Sequence, residues 1–184
     1  MKVVGLIRHF EVVRGMPAGW LCAADIAAWQ TEYDTAAVIQ KPVSLGETAW
    51  ERWVSSDVKR ARETARAIAT GPWEDLPELR EPQVSVLRTG TLRLPFTVWR
   101  WIFRWMWMTS HRSQQEIKGK LLRNVSYVAR EVLAPDHRNT LIVSHAGVMM
   151  FLRRELLKMG YVGPRFKLAE HGRLYLFERN GVAP

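Results

Sequence analysis

Hydrophobic residues fall along this chain in two rhythms, short unbroken runs and longer stretches recurring every three or four positions. Val3-Val4-Gly5-Leu6-Ile7, Trp53-Val54, Thr140-Leu141-Ile142-Val143 and Leu174-Tyr175-Leu176-Phe177 lack strict alternation. Such runs are the mark of strands covered on both faces. Between them lie helical patterns. Val58, Ala61, Ala65 and Ile68 follow Asp57, a candidate cap, and are stopped by Gly71-Pro72. Ile117, Leu121, Val125, Val128 and Val132 follow the capping-box pair Ser113 and Glu116 and end before Pro135. A further helix runs from the residues after Ser144-His145 to about Met159, with Gly160 beyond its end. Ser44 and Glu47 have capping-box spacing and predict a helix from Leu45 to about Arg52. Residues 11–41 show little clean period and read as a loop carrying a short helix, Ala23 to Thr31. Leu76 to Pro82 reads as an irregular connection and Val84 to Leu87 as a brief strand.

Unalternating strands separated by helices predict an α/β domain, with helices on both faces of a largely parallel sheet. Such sheets place ligands at the carboxyl ends of their strands. Three of those ends are polar here: Arg8-His9, then Ser55-Ser56-Asp57 leading to Arg60, then Ser144-His145. Phe96 to Met108 stands apart, a helix apolar nearly all round except for Arg100 and Arg104, which share a face at i,i+4. A helix of that kind needs a cover. The candidates are the domain itself, as core or lid, a second copy of the chain in a homodimer, or a membrane surface.

Composition changes the picture in one respect. Hydrophobic residues at 47% and charged residues at 24% are ordinary globular values over 184 residues, enough for one core without disulfides. Charge is not ordinary: 27 Lys+Arg against 18 Asp+Glu gives +9. Such a surface attracts anions. Cys22 is the lone cysteine, which excludes an intrachain disulfide, argues against cysteine metal sites and fits the reducing cytoplasm. No apolar run approaches membrane-spanning length.

An arginine at a strand end offers a rigid fork of donors matched to phosphate, and the adjacent histidine can serve as nucleophile near neutral pH. With the other polar ends, the set resembles the histidine phosphatase superfamily, branch 1, the group that includes cofactor-dependent phosphoglycerate mutases. The resemblance rests on Leu6-Ile7-Arg8-His9, Gly46, the run Ser55 to Ala65 containing Arg60, Leu79-Arg80-Glu81 and Ser144-His145-Ala146-Gly147, in the family's order across nearly the whole chain. It implies a three-layer α/β/α sandwich over residues 1–184 with a mostly parallel central sheet, phosphoglycerate mutase-like, and lid insertions at about 11–41 and 88–112. It also implies phosphoryl transfer through a phosphohistidine, without metal or cofactor. Carried over residue by residue, His9 is the nucleophile, Arg8, Arg60 and His145 clamp the phosphoryl oxygens, and Glu81 is the proton donor.

The chain departs from the family where glycine usually follows the nucleophile, for it has Phe10, and where threonine and asparagine follow, for it has Val12 and Gly15. After Glu81 the usual Gly-x-x-Glu-Gly gives way to Leu94-Pro95-Phe96 and the tryptophan-rich helix. These departures fit a metal-independent phosphatase acting on a small phosphomonoester better than a mutase-type phosphoryl transferase. The other alternative is a catalytically impaired anion- or nucleic-acid-binding module, although nucleic acid is not the expected partner. Phe10 is expected either to narrow the pocket or to impair it, and Arg100 or Arg104 to face an anionic substrate.

Overall fold

The computed structural model describes residues 1–69, 71–83, 89–109 and 111–179. Its elements in order are β1 (Lys2–Arg8), β2 (Trp20–Leu21), α1 (Ala23–Thr35), β3 (Arg52–Ser56), α2 (Lys59–Ile68), β4 (Trp73–Leu76), β5 (Leu94–Pro95), α3 (Phe96–Met108), α4 (Arg112–Tyr127), β6 (Thr140–Ser144), α5 (Ala146–Lys158) and β7 (Leu174–Arg179). The central sheet has the order β4-β3-β6-β1-β7. Its first three pairings are parallel, and only β7 runs antiparallel to β1.

The unalternating runs are buried because both sheet faces are covered. On one face Val4, Leu6, Val54 and Ile142 join Leu121 and Val125 of α4, Met149 and Leu152 of α5, and a π-helical turn over Val128–Leu133. On the other, Ile7, Leu141 and Val143 meet Ala61 and Ala65 of α2. The result is a three-layer α/β/α sandwich with a mostly parallel sheet.

The second face also corrects an expectation. Residues 45–52 form no helix: Gly46 adopts φ +69°, a left-handed turn that breaks helical continuation. Val43, Leu45 and Trp50 instead pack as an irregular plug on that face. Gly5 makes room for it, since a Cβ there would lie 2.5 Å from Trp50 Cη2. Asp57 does not cap α2, whose cap position holds Val58; its carboxylate accepts from Arg80 Nε at 2.6 Å. An edge strand that the pattern does not predict, β4, runs into the irregular stretch Leu76 to Pro82, which contains a 3-10 turn at Pro77–Leu79. Glu74 and Asp75 on that edge hide its strand character from a hydrophobic pattern. The strand expected over Val84 to Leu87 lies outside the described residues. α4 starts at Arg112, so Ser113 stands inside the helix rather than at its cap. Gly160 does follow α5 with φ +83°.

α3 spans Phe96–Met108 and is covered on one side only, by burial of Trp99 and Met106. Among the described residues no helix is long and apolar enough to cross a membrane.

Candidate active site

The parallel register brings the three polar strand ends together. β6 lies between β1 and β3, with Arg8 opposite Ser144 and Val143 opposite Ser55. The His9 amide donates to Ser144 O at 2.9 Å, extending the pairing one residue beyond β1. His9 and His145 therefore stand side by side, their rings 5.1 Å apart. Both are buried, at 1% and 0% exposure.

His9 Nδ1 lies 2.6 Å from the Phe10 carbonyl oxygen. A carbonyl only accepts, so Nδ1 carries the hydrogen and Nε2 keeps the lone pair. Burial, and then the Arg60 guanidinium, lower the His9 pKa to about 2, with His171 and Arg8 adding to the effect against the Phe10 hydrogen bond. His9 is thus a neutral imidazole with its Nε2 lone pair free for a nucleophile's task.

Arg60 reaches the same place from the first turn of α2 and is 4% exposed. Asp34 at the end of α1 accepts from its Nη1 at 2.6 Å, and the Tyr33 ring lies under its guanidinium at 5.3 Å. Those contacts hold the fork from behind. Arg8 Nη1 donates to Ala169 O at 2.8 Å, which orients the second guanidinium. The Nε atoms of both arginines are buried without a partner.

Glu81 is delivered by the 3-10 turn, which Ser144 ties to the sheet through Oγ donation to Leu79 O at 3.0 Å. Its Oε2 lies 3.7 Å from Arg60 Nη2 and 3.8 Å from His145 Nδ1, and its Oε1 faces the Gly147 amide in the first turn of α5 at 3.4 Å. His145 Nε2 is 3.0 Å from Ser56 Oγ, while its Nδ1 is buried without a hydrogen bond. Burial, then His9, Arg60 and Arg8, push its pKa well below the ordinary value, so His145 is neutral in the free protein. Arg8, His9, Arg60, Glu81 and His145, scattered through the sequence, form one cluster.

A third histidine joins them that sequence reasoning missed. His171 Nδ1 donates to the His9 carbonyl at 2.7 Å, and its ring meets that of His9 edge-on at 5.1 Å. It sits in a loop with no periodic signal. Tyr33, Asp34 and Ser56 were likewise not singled out as site residues.

Phe10 neither narrows the site nor faces it. It is fully buried with Val12 and Val38, and Gly172 at φ +65° leaves its ring room, since a Cβ there would lie 2.8 Å from Phe10 Cδ1. Gly15 is exposed. The departures after His9 thus build a small apolar cluster in place of polar contacts. Arg100 and Arg104 are exposed and do not line the cavity at the site.

That cavity, of about 320 Å³, is lined by Arg60 and Glu81 together with Trp29, Tyr33, Trp107 and Phe151, while Arg8, His9 and His145 are not among its lining residues. His9, Glu81 and His145 have ligand atoms within 4.8 Å of one another, a spacing that could hold a metal ion. Glu81 Oε2 faces Arg60, however, and Arg8 stands nearby. Two guanidiniums suit an anion better than a cation.

A sequence model of the histidine phosphatase superfamily (branch 1) matches residues 9–182, and the chain belongs to that superfamily. Among solved structures, the α-ribazole phosphatase from Shigella flexneri is similar, with 19% identity, a TM-score of 0.56, and coverage of 97% of this chain and 91% of that one. A mycobacterial glucosyl-3-phosphoglycerate phosphatase in complex with inorganic phosphate is similar too, with 15% identity, a TM-score of 0.50, and coverage of 94% and 97%. At these identities the likeness is one of fold. No curated protein matches the sequence.

Proposed function

We propose that this protein is a metal-independent phosphatase that hydrolyses a small phosphomonoester through a phosphohistidine on His9. The observation that carries the reading is the buried, neutral His9 whose Nδ1–H is held by the Phe10 carbonyl, so that Nε2 is the nucleophile, beside Arg60 and Arg8. In the first step Nε2 attacks phosphorus, the phosphorus–oxygen bond to the leaving group breaks, and Glu81 protonates the departing oxygen. In the second, the Glu81 carboxylate takes a proton from water, which attacks phosphohistidine and frees His9. Arg8 and Arg60 stabilise the charge on the transferring oxygens. An arriving phosphoryl dianion counters the field of the guanidiniums, favours the imidazolium of His145 and brings that residue into the clamp. The superfamily's phosphatase members support the reaction class.

The walls of the cavity support a leaving group that is flat and largely apolar, since Trp29, Tyr33, Trp107 and Phe151 line the same cavity as Arg60 and Glu81. Turnover of p-nitrophenyl phosphate with and without chelator, beside a His9→Ala variant, tests the reading. Activity is expected to survive chelator and vanish in the variant. A requirement for metal, or activity without His9, would overturn it.

A further inference from the structure

α3 carries a second apolar face that the proposed reaction does not use. Trp99 and Met106 point into the protein, and Trp107 reaches the cavity wall. On the other side Trp101, Trp105 and Met108 are 71%, 61% and 69% exposed, and Val98 continues the stripe at 38%. Positions 98, 101, 105 and 108 follow helical spacing on one face. Arg100 and Arg104, both exposed, flank it and make no ion pair among the described residues. Trp20, also 65% exposed, pairs in the β2–β5 ladder with Pro95, the residue before α3.

Charge selects the occupant. Between Glu81 and Glu116 the sequence contains no Asp or Glu, but it contains Arg88, Arg93, Arg100, Arg104 and Arg112. Of these, Arg93 is held by Asp25 at 3.4 Å. The chain as a whole carries +9. Tryptophan rings favour the boundary between headgroups and acyl chains, and arginines beside them can keep their charge among anionic headgroups. A second copy of this chain through the same face would gather the arginines of both copies with no Asp or Glu from residues 82–115 to pair them.

We propose that the outer face of α3 docks onto an anionic lipid bilayer surface, with Trp101, Trp105 and Met108 at the headgroup boundary and Arg100 and Arg104 on the lipid phosphates. The helix lies in the interface and does not span it.

Sedimentation of the full-length protein with vesicles tests this, using equimolar phosphatidylcholine and phosphatidylglycerol beside phosphatidylcholine alone. Binding is expected on the anionic vesicles, weakened by salt. Trp101→Ser with Trp105→Ser should lower affinity roughly 10-fold per tryptophan. Arg100→Gln with Arg104→Gln should lower it roughly 30-fold on anionic vesicles and leave the weak binding to neutral ones unchanged. Both double variants should keep the native circular dichroism spectrum and p-nitrophenyl phosphate turnover, because every altered residue is exposed. Absence of binding to anionic vesicles, or undiminished binding by both double variants, would overturn the proposal. So would light scattering showing a dimer that Trp101→Ser with Trp105→Ser dissociates, or a single-stranded oligonucleotide that binds this face more tightly than the vesicles do.

Discussion

The carboxyl ends of the central strands and the outer face of α3 invert the usual division of residues in opposite directions. At the strand ends His9, Arg60 and His145 are polar and buried; on α3 Trp101, Trp105 and Met108 are apolar and exposed. Burying unpaired polar groups and exposing a contiguous apolar face both cost free energy. At the site the cost takes a specific form: the Nε atoms of Arg8 and Arg60 and Nδ1 of His145 are buried without hydrogen-bond partners. A sheet register and a packed core hold these groups in place, whereas the outer face of α3 is organised by one helix alone. The first region is built to orient atoms, the second to present area.

The largest effect that could break this contrast is at the proposed nucleophile. His9→Ala should lower kcat on the order of 10⁴-fold while the variant stays folded, checked by steady-state kinetics beside circular dichroism. Retention of more than a trace of activity would mean that the buried cluster is only structural. Arg60→Ala should lower kcat/KM by roughly 10²–10³-fold, because Asp34 and Tyr33 fix that guanidinium and the proposed reaction uses it to stabilise the transferring oxygens. Glu81→Gln should cost roughly 10²-fold or more on an alkyl phosphate, and clearly less on p-nitrophenyl phosphate, whose leaving group needs little help from a proton donor. Equal losses on both substrates would remove Glu81 as the acid.

Acid stability sharpens the same comparison more gently. The pKa values of His9 and His145 are depressed in the folded protein, so the unfolded chain binds protons there first. The stability tied to their neutral forms is complete above about pH 6.5 and falls as the pH drops below it, by about 1.4 kcal/mol per pH unit for each histidine. Urea unfolding between pH 7 and 5 should show that slope, and His145→Asn should make it shallower. A profile flat over that window would place both rings in water. The smallest effect is expected at α3. Arg100→Ala with Arg104→Ala should leave kcat and KM for aryl phosphates unchanged, since neither residue lines the cavity. A raised KM would show that the outer face and the site are one region after all.

What could be read before folding follows from how local each signal is. Arg8-His9, Arg60 and His145 stand directly after, or one helical turn beyond, a buried strand, and a strand run followed by polar residues is a local pattern. α3 was legible from end to end for the same reason, as thirteen residues of one character. The 45–52 segment was misread because a capping-box spacing is two residues, and Gly46 between them takes a backbone that ends a helix. β4 was missed because an edge strand is polar where it meets water. His171 had no signal of its own: its loop is aperiodic, and only the hydrogen bond to the His9 carbonyl brings it to the site. Which way Phe10 turns was not legible, because a position beside His9 does not say where the side chain packs.

By itself the sequence determined the layered α/β arrangement, the polar strand ends and the residue types gathered there, because burial on two faces and helical periodicity are properties of short stretches. The tertiary structure decided the rest. Sheet order placed His9 beside His145, the turn at Pro77–Leu79 carried Glu81 to both of its partners, and packing sent Phe10 inward with Val12 and Val38. It also decided which half of the tryptophan helix meets the protein and which meets water. Each of those outcomes depends on contacts between residues far apart in the chain, and no local pattern of hydrophobic and polar positions encodes them.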